Sequence, residues 1–159
     1  MTWSRRDACT ALVSLLTLPA VASEMQSSAP AGAIKALPGK VYLFDELKPK
    51  SEKSLSPNAP PIVIRDLFGG NLQGGLPITL HESVLGPFGI PSHPPHRHRH
   101  EEMILLIEGT LDFNLNGVVT RGGPGSVMYS GPNDLHGITN PVAANAKYFV
   151  LELGNEKSV

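Results

Sequence analysis

His96-Arg97-His98-Arg99-His100-Glu101-Glu102, running on into Met103-Ile104-Leu105-Leu106-Ile107, is the stretch whose reading decides the fold. The apolar part is the most hydrophobic segment beyond the N-terminus, and it ends at Gly109. Its five residues, bounded by a polar cluster and a glycine, read as a buried β-strand. On an extended chain, side chains two apart share a face, so His96 and His98 project together. Glu102 stands where that apolar strand begins. A carboxylate there is costly to bury unless positive charge meets it, and a divalent metal ion would do so.

A second cluster lies downstream. Gly125 to Asn140 reads as strand, turn and strand, with His136 opening the second strand. The two segments together resemble the paired motifs of the cupin superfamily. The first motif runs His-x-His, three or four residues, Glu, six residues, Gly; His96, His98, Glu102 and Gly109 fit it without a gap. Its leading Gly is displaced by one, at Gly89. In the second motif Gly125, His136 and Asn140 fall on their positions, while Gly131 stands where Pro is usual and Asn133 where Gly is usual. Asn tolerates left-handed backbone angles and Gly131-Pro132 still makes a turn, so the hairpin survives.

The resemblance implies an all-β, antiparallel jelly-roll barrel, the double-stranded β-helix. It implies one metal site built from His96, His98, Glu102 and His136. Three imidazoles and one carboxylate suit a single divalent transition metal (Mn, Fe, Co, Ni, Cu or Zn) and do not suit Ca or Mg. His98-x-His100 is also an i, i+2 pair, but it leaves no carboxylate at the family spacing. His100 is therefore expected in the variable segment, exposed at the barrel rim, and Glu101 alternates away from Glu102. Arg97 and Arg99 read as a solvated strand face and His93 as solvated. His81 reads as an outward or core histidine, and the direction of Tyr129 is left open by the pattern. Ile104, Leu106, Phe113 and Leu115 read as barrel interior, and Asn140 as a residue that fixes the second motif through backbone hydrogen bonds.

The rest of the chain agrees with a barrel. Short β runs at 40–44, 61–65, 76–85, 110–115, 118–121 and 147–153 are separated by turn signals, and Asn116-Gly117 is a strong hairpin signal. Fifteen prolines and sixteen glycines in 159 residues argue against long helices. Residues 48–61 read as an exposed loop and 23–40, rich in Ala, Ser, Pro and Gly, as a flexible leader. The barrel domain is then 41–159.

Residues 1–22 have the order of an export signal: Arg5-Arg6, a short apolar core from Ala11 to Leu18, and Ala20-Val21-Ala22 as a cleavage site. The reading is an exported, periplasmic protein, by the twin-arginine or the general secretory route, with no stable membrane insertion after cleavage. Cys9, the sole cysteine, would leave with that segment, and so would two arginines and one aspartate, taking the net charge from −1 to −2. This balance gives no pull toward nucleic acid. The apolar runs Val41–Phe44 and Ile62–Ile64 exceed what one small barrel must bury, which predicts a homodimer.

For function, the resemblance implies a metal-dependent cupin acting on a small organic substrate, as dioxygenase, decarboxylase or isomerase. The alternative is a non-catalytic module that binds a metal or a small ligand. The pattern assigns no catalytic acid or base: only Glu102 is a well-placed carboxylate, and His81 and Tyr129 are the sole further candidates.

Overall fold

The computed structural model describes residues 36–52, 62–88 and 93–154. Residues 1–22, expected to be an export signal, lie outside the described residues. The described chain is almost entirely strand: β1 (Lys50–Glu52), β2 (Ile62–Asn71), β3 (Pro77–Leu85), β4 (His93–His96), β5 (Glu101–Glu108), β6 (Leu111–Leu115), β7 (Val118–Gly122), β8 (Val127–Ser130), β9 (His136–Thr139) and β10 (Ala146–Leu153). They form a six-stranded sheet in the order β1-β2-β3-β10-β5-β8 and a four-stranded sheet in the order β4-β9-β6-β7. Every strand pairing is antiparallel. This is the jelly-roll architecture that the sequence implied.

The apolar residues that alternate inward explain why the sheets face each other. Leu85, Ile104, Leu106, Met128, Tyr148 and Val150 from the larger sheet meet Leu111, Phe113 and Ile138 from the smaller in one buried cluster. Ile104, Leu106 and Phe113 are interior as expected, while Leu115 is half-buried. Pro94 and Pro95 are tolerated because β4 is an edge strand, where a missing donor costs little. Asn116 and Gly117 both have positive φ (51° and 87°), the backbone that a two-residue β6–β7 turn requires. Gly109, at φ 86°, leaves no room for a side chain: a Cβ there would lie 2.4 Å from the Asn145 carbonyl oxygen.

The N-terminal part departs from the pattern. Residues 40–44 were expected as a strand, but they pair with no ladder and lead into a 3-10 turn, Phe44–Glu46. Aromatic anchors hold this segment instead. Tyr42 packs on Phe68 with ring centroids 5.0 Å apart, and the Arg65 guanidinium lies over the Phe44 ring. Arg65 also pairs with the buried Glu82 at 2.8 Å. Within the expected loop at 48–61, Lys50–Glu52 is a strand paired to β2; residues 53–61 lie outside the described ones. At the end of the compositional leader, Ala36 bridges Asn71 and the Leu37 amide donates to the Asn71 carbonyl at 2.8 Å. Ile62 and Ile64 are buried within the chain's own core, so only Val41, Leu43 and Phe44 stay exposed from the apolar surplus behind the dimer expectation.

Candidate metal centre

Four elements deliver the predicted ligands to one end of the space between the sheets. Glu102 comes from β5 in the larger sheet. His136 opens β9 in the smaller sheet, and His96 lies opposite it in register at the end of β4. His98 comes from the short link between β4 and β5. That link is not the regular strand assumed from the sequence: residues 97–100 bend, and the bend aims His98 at the same point as His96. The ring centroids of His96 and His98 stand 4.6 and 4.5 Å from that of His136. One ligating atom from each of the three lies within 4.8 Å of the others. The Glu102 carboxylate faces two of them, with Oε2 3.6 Å from His98 Nε2 and Oε1 3.4 Å from His136 Nε2.

The backbone fixes how these rings present themselves. Nδ1 of His96 lies 3.1 Å from the Pro94 carbonyl, Nδ1 of His98 2.8 Å from the His100 carbonyl, and Nδ1 of His136 3.0 Å from the Asp134 carbonyl. A carbonyl only accepts, so each ring must carry its proton on Nδ1, which leaves the Nε2 lone pair turned toward the others. The Nε2 atoms of His98 and His136 are buried without a hydrogen bond. Three clustered imidazoles, each oriented by a backbone acceptor and two of them facing a carboxylate, fit the arrangement that a borderline divalent ion requires.

Electrostatics agree. Burial would raise the Glu102 carboxyl, but the facing imidazoles of His136 and His98 outweigh it and hold the group well below the usual carboxylate range. The same carboxylate raises His136, helped by the Asp134 carbonyl. The site therefore attracts positive charge, whether as protons or as metal.

The turn between β8 and β9 is latched to the histidine link. The Asn133 amide donates to the His98 carbonyl at 2.8 Å, and Arg97 Nη1 donates to the Asn133 carbonyl. Asn133 takes φ 66°, the left-handed angle for which glycine is usual. Asp134 ties the turn down by accepting from the Gly131 amide and from Asn116 Nδ2, both at 2.9 Å. Asn140 is fully buried and donates to the carbonyls of Leu85, Gly86 and Ala144 while accepting from the Val142 amide. Its role is the structural one expected.

Three other expectations change. His100 is not exposed at the rim: its ring stacks on His98 at 3.6 Å and 9°, and its Nε2 lies 3.8 Å from Glu152 Oε1. The bend at 97–100 turns it inward, and with His98 and Glu102 it forms an overlapping group of ligand atoms. Glu102 is not the sole well-placed carboxylate. Glu152 is its direct partner across the β5–β10 ladder, on the inner face that also carries Val150 and Tyr148. The phenol inside the barrel is Tyr148, which is fully buried, and not Tyr129, which is 51% exposed and faces out. Burial, with a contribution from the Glu102 charge, pushes the Tyr148 phenol up. His81 shares the inner face with Ser83, opposite Val150 and Asp66. Arg97 is exposed as expected, although it is held by Asn133. His93 opens β4, and the solvated position expected of its side chain lies outside the described side chains.

The class defined by this fold and site is a double-stranded β-helix with a histidine-carboxylate centre. Residues 87–152 match the family model described as Cupin domain. Solved structures of similar fold include a cupin-2 domain protein from Rhodospirillum rubrum, with TM-score 0.59 and 15% identity over 79% of this chain and 80% of that one. The polyketide cyclase RemF from Streptomyces resistomycificus is similar at TM-score 0.58 and 22% identity, over 76% and 82%. A predicted oxalate decarboxylase from Thermotoga maritima gives TM-score 0.59 and 15% identity, over 73% and 100%. Among curated proteins the chain finds no match. The matched stretch resembles a cupin domain, and at such identities the structures speak for the fold alone.

Proposed function

We propose that this protein is a metal-dependent cupin that acts on a small organic substrate at a mononuclear site held by His96, His98, Glu102 and His136. The observation that carries the reading is the orientation of the three imidazoles. Each Nδ1 lies against a backbone carbonyl, a ligating atom of each ring lies within 4.8 Å of the others, and the Nε2 atoms of His98 and His136 face the buried Glu102 carboxylate. Such a set suits Mn, Fe, Co, Ni, Cu or Zn. When bound, the ion supplies Lewis-acid stabilisation of negative charge developing on a substrate oxygen. The protein's own part is to neutralise some of that charge through Glu102, to orient the rings, and to exclude water below the site with Ile104, Val150 and Met128.

The binding-only alternative drew its support from the lack of a second carboxylate. Glu152, opposite Glu102, adds a second carboxylate near the site, and turnover decides between the two readings. Two measurements test the proposal. Metal analysis of protein purified without an affinity tag should give one transition-metal ion per chain; none would end it. The metal-loaded protein should then consume dioxygen, release carbon dioxide or isomerise a member of a panel of small diols, diketones and hydroxy acids. Stoichiometric metal with no turnover across the panel would establish the binding module instead.

A further inference from the structure

One row of residues crosses the inner face of the larger sheet at the level of the metal centre. Gly69, Thr79, Glu152, Glu102 and Ser130 are successive ladder partners on β2, β3, β10, β5 and β8. Neighbouring strands lie about 5 Å apart, so Thr79 stands about 10 Å from Glu102 with Glu152 between them. The Glu152 side chain is not left to wander. Thr79 Oγ1 donates to its Oε2 at 2.6 Å, and His100, stacked on the ligand His98, lies beside its Oε1 at 3.8 Å. The side chain is still 32% exposed, so a small molecule can reach it.

Beyond Thr79 the row opens into a cavity of about 240 Å³ lined by Asp66, Phe68, Gly69, Thr79, Leu80 and His81. Gly69 gives this cavity its floor. A Cβ there would meet only Thr79 Cγ2, at 3.6 Å, an ordinary contact, and its backbone is not left-handed. Asp66 in the cavity wall is paired with Lys50 at 2.8 Å, so its charge is offset, whereas the Glu152 carboxylate, one ladder position from the lining residue Thr79, is partly exposed.

We infer that Glu152 and the Gly69–Thr79 floor form the substrate shelf of the metal centre, and that the shelf selects neutral polyhydroxylated molecules, polyols and sugars, over dicarboxylates. The inference rests on the proposed metal site, which takes one ligand oxygen. A second hydroxyl then donates to Glu152, one strand away, and the remaining carbons and hydroxyls lie over Gly69 toward Asp66 and His81. Glu152 accepts hydrogen bonds from hydroxyls and repels carboxylates, and charge-assisted acceptance of this kind is the stronger sort of hydrogen bond. Glu152 is a positioning residue in this scheme, since it orients the substrate and is not a ligand.

The test uses the full chain saturated with Co²⁺, titrated with sorbitol and separately with malonate, followed by calorimetry and by the visible absorption of the ion. Wild type should bind sorbitol more tightly than malonate. In Glu152→Gln sorbitol binding should weaken about tenfold, the loss expected of a charged acceptor, while malonate binding tightens. Gly69→Val should weaken sorbitol binding without tightening malonate, because it fills the floor and leaves the charge in place. Both variants should keep one Co²⁺ per chain, a result that a merely structural role for Glu152 would not pair with reversed selectivity. Equal sorbitol binding in wild type and Glu152→Gln, no sorbitol binding to Co²⁺-loaded wild type, or tighter malonate than sorbitol in wild type each overturns the shelf and leaves the metal site standing. A wild type that takes up no Co²⁺ overturns both.

Discussion

Two residues along each strand separate two different worlds on the same sheet face. The row Thr79, Glu152, Glu102 and Ser130 is polar; in the row below it Val150, Ile104 and Met128 are apolar and buried, and only its β2–β3 end, Asp66 and His81, is polar. Below that lie Tyr148 and Leu106, both without solvent exposure. The strands are shared, so the difference comes from what each row can reach. The upper row sits level with the link at 97–100 and the turn at 131–135, whose backbone carbonyls orient His98 and His136. The lower rows face only side chains from the opposite sheet. A barrel of this kind can thus hold a charged centre at one end, because loop carbonyls there orient the imidazole rings.

The largest effect that would sharpen the contrast is in the lower rows. Leu106→Ala should destabilise the protein by roughly 2–5 kcal/mol, from lost burial and the cavity left behind. Denaturant unfolding in the presence of EDTA measures this, and the folded fraction should still take up metal stoichiometrically. A variant that keeps its stability but loses metal would break the division between the rows.

His98→Ala should show the opposite pattern. At metal concentrations some thousandfold above the dissociation constant, wild type gains about 4 kcal/mol from the bound ion, and the variant should gain almost none of it. Without metal the two should differ by roughly 1–3 kcal/mol, from the lost stack on His100, the place beside Glu102 and the hydrogen bond to the His100 carbonyl. Unfolding curves with and without chelator decide the matter. If both proteins shift equally on adding metal, His98 is not a ligand.

A smaller effect follows from the two shifted groups. Glu102 is held low in the fold, so its contribution to the metal-free protein is present above its ordinary value of 4.5 and is lost as pH falls through the lower folded value. His136 is raised, so its contribution is full below its ordinary value of 6.5 and is lost as pH rises through the higher folded one. Between those two ordinary values the metal-free pair stabilises most. Metal must displace the His136 proton, so the thermal shift on adding metal should grow as pH rises from about 6 to 8. A shift that is flat over that range would show that His136 does not bind the ion.

Much of this contrast was legible in the sequence, and the gaps have a common cause. The clustering of His96, His98, Glu102 and His136, the Asn116-Gly117 turn and the role of Asn140 are encoded by local spacing, and local spacing survives whatever the strand partners are. Glu152 was missed because β10, Ala146–Leu153, is apolar on both faces: Phe149 and Leu151 are as good a core phase as Tyr148 and Val150. Only the pairing with β5 selects the phase, and that pairing shifts register between Lys147 and Tyr148. Tyr129 is the same problem in β8, where the inward pair is Met128 and Ser130. The expected strand at 40–44 failed for a different reason. Its aromatic residues bind by their rings to Arg65 and Phe68 of β2 and leave the backbone without a ladder, which no alternation of residues could announce.

The smallest effect concerns the latch between the two loops. Asn133 holds the turn at φ 66° and meets the link through its backbone: the amide donates to the His98 carbonyl and the carbonyl accepts from Arg97. If the latch works through the backbone, Asn133→Gly keeps both contacts. It relieves the left-handed strain of a side chain while adding freedom to the unfolded chain, and the two oppose each other at a few tenths of a kcal/mol. The variant should therefore unfold within about 0.5 kcal/mol of wild type and bind the same metal with the same stoichiometry. Asn133→Val, which keeps the backbone groups but is disfavoured at positive φ, should cost about 1–3 kcal/mol and weaken metal binding, because the turn can no longer hold the His98 carbonyl side of the link in place. Parallel thermal unfolding and metal titration of the two variants separate the explanations. Loss of metal from Asn133→Gly would mean that the side chain, and not the backbone, closes the mouth of the barrel.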